Sequence, residues 1–164
     1  MRLPSSAGAV TCCRQQSVSS HTPPHMYLTA DLRKQLEAVD DHCCAYCQTT
    51  QVNSGQPMVV DHIVPEAKGG VTELDSLCFA CRRCNEYKGA QTSTRDPLTG
   101  ESTPIFHPRR HHWAEHLAWD ESASVLAGLT RIGRATIVAL NMNNPVIVAA
   151  RHRWASAGWH PPRV

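Results

Sequence analysis

Two pairs of cysteines constrain this chain more than any other feature. Cys44 and Cys47 form one C-x2-C pair, and Cys81 and Cys84 form a second, with 33 residues between the pairs. Each pair offers two thiolates from one tight turn, and four thiolates complete a closed tetrahedral shell around zinc. A closed shell leaves no coordination position for water, so the predicted zinc is structural.

The other cysteines raise the alternative of disulfides in a secreted protein. Cys12, Cys13, Cys43 and Cys78 fall outside the zinc spacing, and Cys43 and Cys78 are the alternative ligands. The first 16 residues hold no apolar run of the length an export signal needs. No stretch approaches the roughly 18–20 apolar residues of a membrane span. We therefore expect a protein of the reducing cytoplasm without membrane attachment. In that compartment, two C-x2-C pairs favour metal binding over disulfides.

A carboxylate and an imidazole stand between the two cysteine pairs, and an amide follows the second pair. These side chains belong to Asp61, His62 and Asn85. Oxygen and nitrogen groups of this kind suit a second, harder metal ion and a general base. A zinc-stapled scaffold that carries a separate acid–base and metal set is typical of a small metal-dependent hydrolase.

The charge of the chain is unevenly distributed. Residues 1–81 carry 5 Lys/Arg and 8 Asp/Glu, a net −3, whereas residues 82–164 carry 11 and 6, a net +5. The basic half begins at the second cysteine pair, which predicts an anion-binding face beside the candidate site. The candidate phosphate contacts there are Arg82, Arg83 and Lys88; the alternative is a solvated helix face.

Residues 1–26 are polar, contain prolines and lack periodicity, which predicts a disordered lead-in. Thr29 is the expected N-cap of a first helix that buries Leu32, Leu36 and Val39.

Further along the chain, the apolar run at 58–60 predicts a strand that ends at Asp61 and His62. The second cysteine pair opens a predicted helix that continues to Lys88 and ends at Gly89.

The C-terminal half is expected to be mainly helical. Residues 92–110, with three prolines, predict a long loop. Residues 117–119 and 125–130 are expected to pair as a hairpin, and 134–142 and 146–157 are predicted helices.

The run from Cys44 to Gly89 resembles the HNH endonuclease family through the motifs C-A-Y-C, V-D-H-I-V-P, K-G-G, L-D-S-L and C-R-R-C-N-E-Y-K-G. The resemblance implies an α+β fold with a ββα-metal core, in which a hairpin carries the histidine and the following helix carries the last ligand. Residues 106–109 through 133–136 are similar to the C-terminal extension of some bacterial members. We therefore divide the chain into a nuclease core at 27–92 and an extension at 93–164 that packs on it.

The resemblance also implies roles for the site residues. His62, whose unperturbed pKa is about 6.5, takes a proton from the attacking water. Asp61 and Asn85 hold a divalent ion, Mg²⁺ or Mn²⁺. Because neighbours on a regular strand point to opposite faces, we expect the hairpin to bend at Asp61 and His62.

Position 76 departs from the family pattern, because Ser76 stands where the family has its middle asparagine. In the family, that asparagine braces the loop and holds the backbone of the histidine. Serine can make one such hydrogen bond, but it lacks the second arm of the amide.

The sequence thus predicts an endonuclease that hydrolyses phosphodiester bonds in DNA, with RNA left open as a substrate. One alternative is a zinc-stapled nucleic-acid-binding module without activity. A second is an interaction domain that uses the four cysteines only for folding. The joint presence of Asp61, His62 and Asn85 favours the enzyme.

Overall fold

The first helix, α1 (Ala30–Asp40), begins at the predicted cap. The Thr29 hydroxyl accepts a hydrogen bond from the Leu32 amide at 3.1 Å. Leu36 is buried, but Val39 remains exposed, so the apolar face is narrower than predicted. The computed structural model describes residues 28–161, and the predicted lead-in at 1–26 lies outside them.

A hairpin and a helix form the centre of the fold. β1 (Val59–His62) pairs antiparallel with β2 (Leu77–Ala80). α3 (Arg82–Lys88) follows β2 almost directly and ends at Gly89, which has a positive φ. The predicted strand and the predicted helix with its glycine stop are both confirmed, and together they make the ββα arrangement that the family resemblance implies.

The loop between β1 and β2 contains two short 3-10 turns, Glu66–Lys68 and Leu74–Ser76. Gly70 closes this loop, and its amide donates to the Pro65 carbonyl at 3.1 Å. A Cβ at position 70 would lie 1.8 Å from the Val64 carbonyl oxygen, so only glycine fits there. The loop backbone at Gly70 therefore packs closely against Val64 and Pro65, just after the strand that carries His62.

The segment predicted as a long loop contains a hairpin instead. β3 (Ser93–Arg95) pairs with β4 (Ser102–Pro104), and helix α5 (Arg131–Ala139) packs against both. The sequence does not reveal these strands because they are three residues long and polar, without an apolar alternation. Their position depends on the contact with α5, which is distant in sequence.

The rest of the C-terminal half agrees more closely with expectation. β5 (Leu117–Trp119) and β6 (Leu126–Gly128) form the predicted hairpin. α6 (Pro145–Ser156) matches the last predicted helix. α5 begins three residues before the predicted start, because the Thr130 hydroxyl caps it. The remaining short helices are α2 (Gln51–Ser54) and α4 (Trp113–His116).

Residues from both halves of the described chain pack into one hydrophobic cluster. Its members include Leu36, Tyr46, Leu77, Phe79, Phe106, Leu126, Leu140 and Met142. The indole of Trp113 donates to the Tyr46 carbonyl at 2.9 Å. The Arg109 guanidinium binds both Asp40 carboxylate oxygens, at 2.6 and 2.9 Å. The N-terminal and C-terminal parts of the described chain are therefore joined by apolar and by charged contacts.

Between residues 28 and 161, the structure contains no helix long and apolar enough to span a membrane.

Candidate metal centre and active site

The four predicted zinc ligands come together in one buried cluster. The sulfurs of Cys44, Cys47, Cys81 and Cys84 all lie within 4.8 Å of one another. The Cys47 and Cys81 sulfurs are 3.8 Å apart. A tetrahedral zinc with Zn–S bonds of about 2.3 Å requires sulfur separations of about 3.8 Å. The cluster therefore fits a closed four-thiolate zinc site.

The two alternative cysteine ligands do not belong to this cluster. Cys43 lies half-buried beside it and pairs through its backbone with Thr50. Cys78 lies on β2 with its sulfur 4.0 Å from Asp61 Oδ2, and burial raises the pKa of its thiol. Both side chains therefore fall outside the metal shell, as the C-x2-C spacing indicated.

A buried arginine from the C-terminal helix lies beside the cysteine cluster. Arg151 has no exposed surface, stacks over the Trp119 ring at 4.9 Å, and donates to the Met142 carbonyl at 2.7 Å. Burial lowers the pKa of Arg151, and negative charge at the neighbouring Cys47 and Cys84 opposes that effect. Zinc held by four thiolates would carry a net charge of −2, and this guanidinium would offset part of that charge. Arg151 could not be predicted from the sequence, because it lies far from the cysteine motifs.

Asp61 and His62 occupy opposite faces of β1. The register is regular, with Asp61 opposite Cys78 and His62 opposite Leu77. Asp61 is buried, whereas the His62 side chain is 25% exposed. The predicted bend at this point is therefore wrong: the strand simply alternates, so one side chain enters the core and the other reaches the surface.

Both oxygens of the Asp61 carboxylate accept hydrogen bonds. Oδ1 accepts from the Lys88 ammonium at 2.9 Å, and Oδ2 accepts from the Tyr46 hydroxyl at 2.7 Å. Burial raises the pKa of Asp61, while Lys88 and Tyr46 act in the opposite direction. The carboxylate is thus held in one orientation by two donors from different parts of the chain.

The His62 ring contacts the loop that follows it. Its Nε2 lies 3.0 Å from the Thr72 hydroxyl and 3.5 Å from Glu66 Oε1. Thr72 is buried, so its hydroxyl is a fixed partner for the ring. Thr72 is not among the site residues predicted from the sequence, because a threonine in a loop carries no signal of its own.

Residues 44–95 match the family model for HNH endonucleases. This segment is similar to HNH endonucleases. The match covers both cysteine pairs, β1, β2, α3 and β3, about a third of the chain, and it confirms the resemblance seen in the motifs. The comparison with curated proteins and the comparison with solved structures found no match.

Asn85 lies on the HNH helix α3, one turn before Lys88 and on the same face. Its side chain makes no hydrogen bond to the residues that the structure describes. Asp61 and Asn85 are hard oxygen donors of the kind that a divalent ion takes, and their joint role as its ligands stays a prediction. A divalent ion bound at Asp61 would be repelled by the Lys88 ammonium, which lies 2.9 Å from the same carboxylate.

The three predicted phosphate contacts on helix α3 differ in their exposure to solvent. Lys88 is only 1% exposed, so the prediction that it contacts phosphate does not agree with the structure. The Arg83 guanidinium donates to the Asn141 carbonyl at 2.6 Å and lies over the Tyr87 ring, so it is engaged in packing. Arg82 is exposed and pairs with Glu86 at 2.8 Å, so it stays a candidate.

The predicted brace at Ser76 is also placed differently. Its backbone carbonyl accepts from the Ile63 amide at 2.9 Å, but its hydroxyl has no hydrogen bond to any described residue. The His62 carbonyl accepts a hydrogen bond from the Lys88 ammonium at 2.7 Å instead. Lys88 therefore makes the side-chain contact to the histidine backbone that the HNH pattern assigned to position 76.

A groove of about 250 Å³ opens beside the residues that follow His62. Ile63 and Val64 form one wall, and His107, Arg110 and His111 line another part. Arg110 is exposed and makes no ion pair with the described residues. The groove is lined mainly by apolar side chains, carries one exposed cation, Arg110, and opens beside the two residues that follow His62 in the chain.

Proposed function

We propose that this protein is a metal-dependent endonuclease that hydrolyses phosphodiester bonds, with DNA as its substrate. The observation that carries the proposal is the HNH segment itself, in which a partly exposed His62 stands next to a buried Asp61 on a zinc-stapled hairpin. The zinc site needs reduced thiolates, which supports a cytoplasmic location.

His62 is the proposed general base. In the tautomer that carries its proton on Nε2, the ring donates to the Thr72 hydroxyl, and the Nδ1 lone pair is free to take a proton from water. The Thr72 hydroxyl orients the ring, and the Glu66 carboxylate 3.5 Å from Nε2 favours this tautomer because it can only accept a hydrogen bond. The activated water then attacks phosphorus, the bond to the 3′ oxygen breaks, and that oxygen takes a proton from solvent water, which leaves a 5′-phosphate and a 3′-hydroxyl.

Two metals have separate roles in this proposal. Zinc held by Cys44, Cys47, Cys81 and Cys84 maintains the fold and takes no part in the reaction. Asp61 and Asn85 would hold Mg²⁺ or Mn²⁺, which supplies stabilisation of the negative charge on the phosphate and the leaving oxygen.

The nucleic acid is proposed to lie along the groove beside Ile63 and Val64. Its backbone phosphates carry negative charge, and Arg110 is the exposed cation among the residues that line the groove. Contacts of this kind position a strand without reading its sequence. Arg82 stays a second proposed contact on the helix face.

The second candidate function is a zinc-stapled nucleic-acid-binding module without activity. The Lys88–Asp61 pair favours it, because the ammonium stands at 2.9 Å from the carboxylate that would hold the ion. A module of this kind would keep the fold and the groove and lose only the reaction.

The two candidates are separated by incubating the purified protein with supercoiled plasmid in Mg²⁺ or Mn²⁺. The enzyme converts the plasmid to nicked or linear forms, and a binding module retards it without cutting. A sample that contains Zn²⁺ but no Mg²⁺ or Mn²⁺ is the control for metal dependence. Intact plasmid under every metal condition, with binding present, would establish the second candidate.

A further inference from the structure

The Lys88 side chain is a buried cation in direct contact with both residues at the end of β1. Its ammonium donates to Asp61 Oδ1 at 2.9 Å and to the His62 carbonyl at 2.7 Å. The Lys88 side chain is only 1% exposed, so water does not solvate its positive charge. Burying an ammonium is costly unless it is both paired and hydrogen-bonded, and these two contacts satisfy that requirement.

The peptide group that joins His62 to Ile63 is held at both ends. Its carbonyl accepts from Lys88 at 2.7 Å, and its N–H, which belongs to Ile63, donates to the Ser76 carbonyl at 2.9 Å. A peptide group is planar, so two partners on opposite sides fix its rotation. A rotation of this peptide group changes the ψ angle of His62, so holding the peptide group at both ends limits the direction of the His62 side chain.

We propose that Lys88 is a positioning residue for His62. Its ammonium fixes the His62 backbone and the Asp61 carboxylate together, and so replaces the brace that the family pattern places at position 76. Lys88 does not touch the substrate. The inference rests on the proposed nuclease function for its kinetic consequence, but its structural consequence can be measured without activity.

Tyr46 provides a matched comparison. Its hydroxyl donates to the same Asp61 carboxylate, at 2.7 Å, and makes no contact with the His62 carbonyl. Tyr46→Phe therefore removes one donor to Asp61 and leaves the His62 peptide group held. Lys88→Met removes a donor to Asp61 and also frees the His62 carbonyl. The difference between the two variants isolates the effect on His62.

The kinetic test compares the parent, Lys88→Met and Tyr46→Phe on plasmid with Mn²⁺, with zinc content measured for each. We expect Lys88→Met to lower kcat by up to about 10²-fold with KM close to the parental value, because small misplacements of a catalytic group cost rate and a buried lysine binds no substrate. Tyr46→Phe should lose much less. A rise in KM alone would make Lys88 a phosphate contact, and a parental kcat in Lys88→Met would overturn the proposal.

The structural test measures hydrogen exchange at the Ile63 amide. Because Lys88→Met leaves Asp61 buried and unpaired, it can fail to fold, so the exchange comparison uses Asp61→Asn alone against Asp61→Asn with Lys88→Met. Both variants lack the buried negative charge. The proposal predicts faster Ile63 exchange in the double variant, and equal exchange would overturn it.

These two tests keep the proposals apart. A parent that binds plasmid but does not cut it would remove the nuclease function and leave the exchange result to decide the role of Lys88. A parent that cuts, with equal exchange and equal kcat across the variants, would keep the nuclease and remove the positioning role.

Discussion

At the scale of single residues, two neighbouring side chains of β1 lie in opposite environments. Asp61 is buried between the Lys88 ammonium and the Tyr46 hydroxyl, and His62 reaches the surface beside Thr72. The proposed general base needs contact with water, and the proposed metal ligand needs a fixed orientation. The alternation of a strand provides both conditions at consecutive positions.

Substitutions at position 76 test whether the serine side chain holds the His62 backbone. We expect Ser76→Ala to keep parental cleavage and parental stability, because the serine hydroxyl has no partner among the described residues and the backbone carbonyl remains. Ser76→Asn should also stay close to the parent. Plasmid cleavage and thermal unfolding of the three proteins measure this. A large loss in Ser76→Ala would return the brace to position 76.

The sequence could predict which residues form the site better than it could predict how they face. The zinc ligands follow from spacing alone, since a closed shell needs four thiolates on two turns. The orientation of Asp61 does not follow from the sequence, because its hydrogen-bond partners Tyr46 and Lys88 are 15 and 27 residues away in the chain. The burial of Lys88 could not be predicted either, since a lysine on a short helix is normally exposed to solvent.

At the scale of elements, charged contacts attach the C-terminal part of the chain to the HNH segment and its preceding helix. Arg109, after β4, binds Asp40 at the end of α1, and Asp40 also accepts from the Phe79 amide on β2 at 2.7 Å. Within the C-terminal part, Arg134 on α5 makes a bidentate pair with Asp96, which follows β3 directly. Because these pairs join distant segments, their geometry could not be predicted from local sequence patterns.

Two adjacent arginines allow a matched experiment on these contacts. The Arg109 side chain is 13% exposed and pairs with Asp40, whereas Arg110 is exposed at the groove. We expect Arg109→Met to lower the free energy of unfolding by about 3–5 kcal/mol, because it leaves a buried carboxylate without its partner. Arg110→Met should keep parental stability.

The same two variants should differ in the opposite sense in substrate binding. Arg110→Met should raise KM on plasmid and reduce the salt dependence of DNA binding, because a phosphate contact is lost. Denaturant unfolding and binding titrations at several salt concentrations measure the two effects. Equal stability of both variants would contradict the assignment of the Asp40 pair, and an unchanged salt dependence would contradict the groove.

At the scale of the whole molecule, the cysteine cluster lies inside the core that both halves share. Cys44, Cys47, Cys81 and Cys84 belong to the same hydrophobic cluster as Phe106, Leu126 and Leu140. Arg151 of α6 reaches the same place from the C-terminal end. The boundary near residue 92 stays a prediction, but the packing gives no reason to expect the two parts to unfold separately.

Removal of zinc should therefore affect the whole described chain. We expect one zinc per chain, and chelation should unfold residues 28–161 in a single transition, because zinc binding contributes directly to the free energy of folding. Cys81→Ser should lose zinc and stability. Cys43→Ser, just outside the cluster, is the matched control and should keep both. Elemental analysis with circular dichroism measures this, and folded protein without zinc would contradict it.

The most direct test of the central claim is cleavage of supercoiled plasmid by His62→Ala. The alanine cannot accept the proton of water, so the rate should fall about 10²–10⁴-fold while zinc content, stability and DNA binding stay parental. His152→Ala, at an exposed histidine of α6, is the matched control and should cut at the parental rate. If His62→Ala cuts as fast as the parent and the control, His62 is not the general base and the proposed mechanism is wrong.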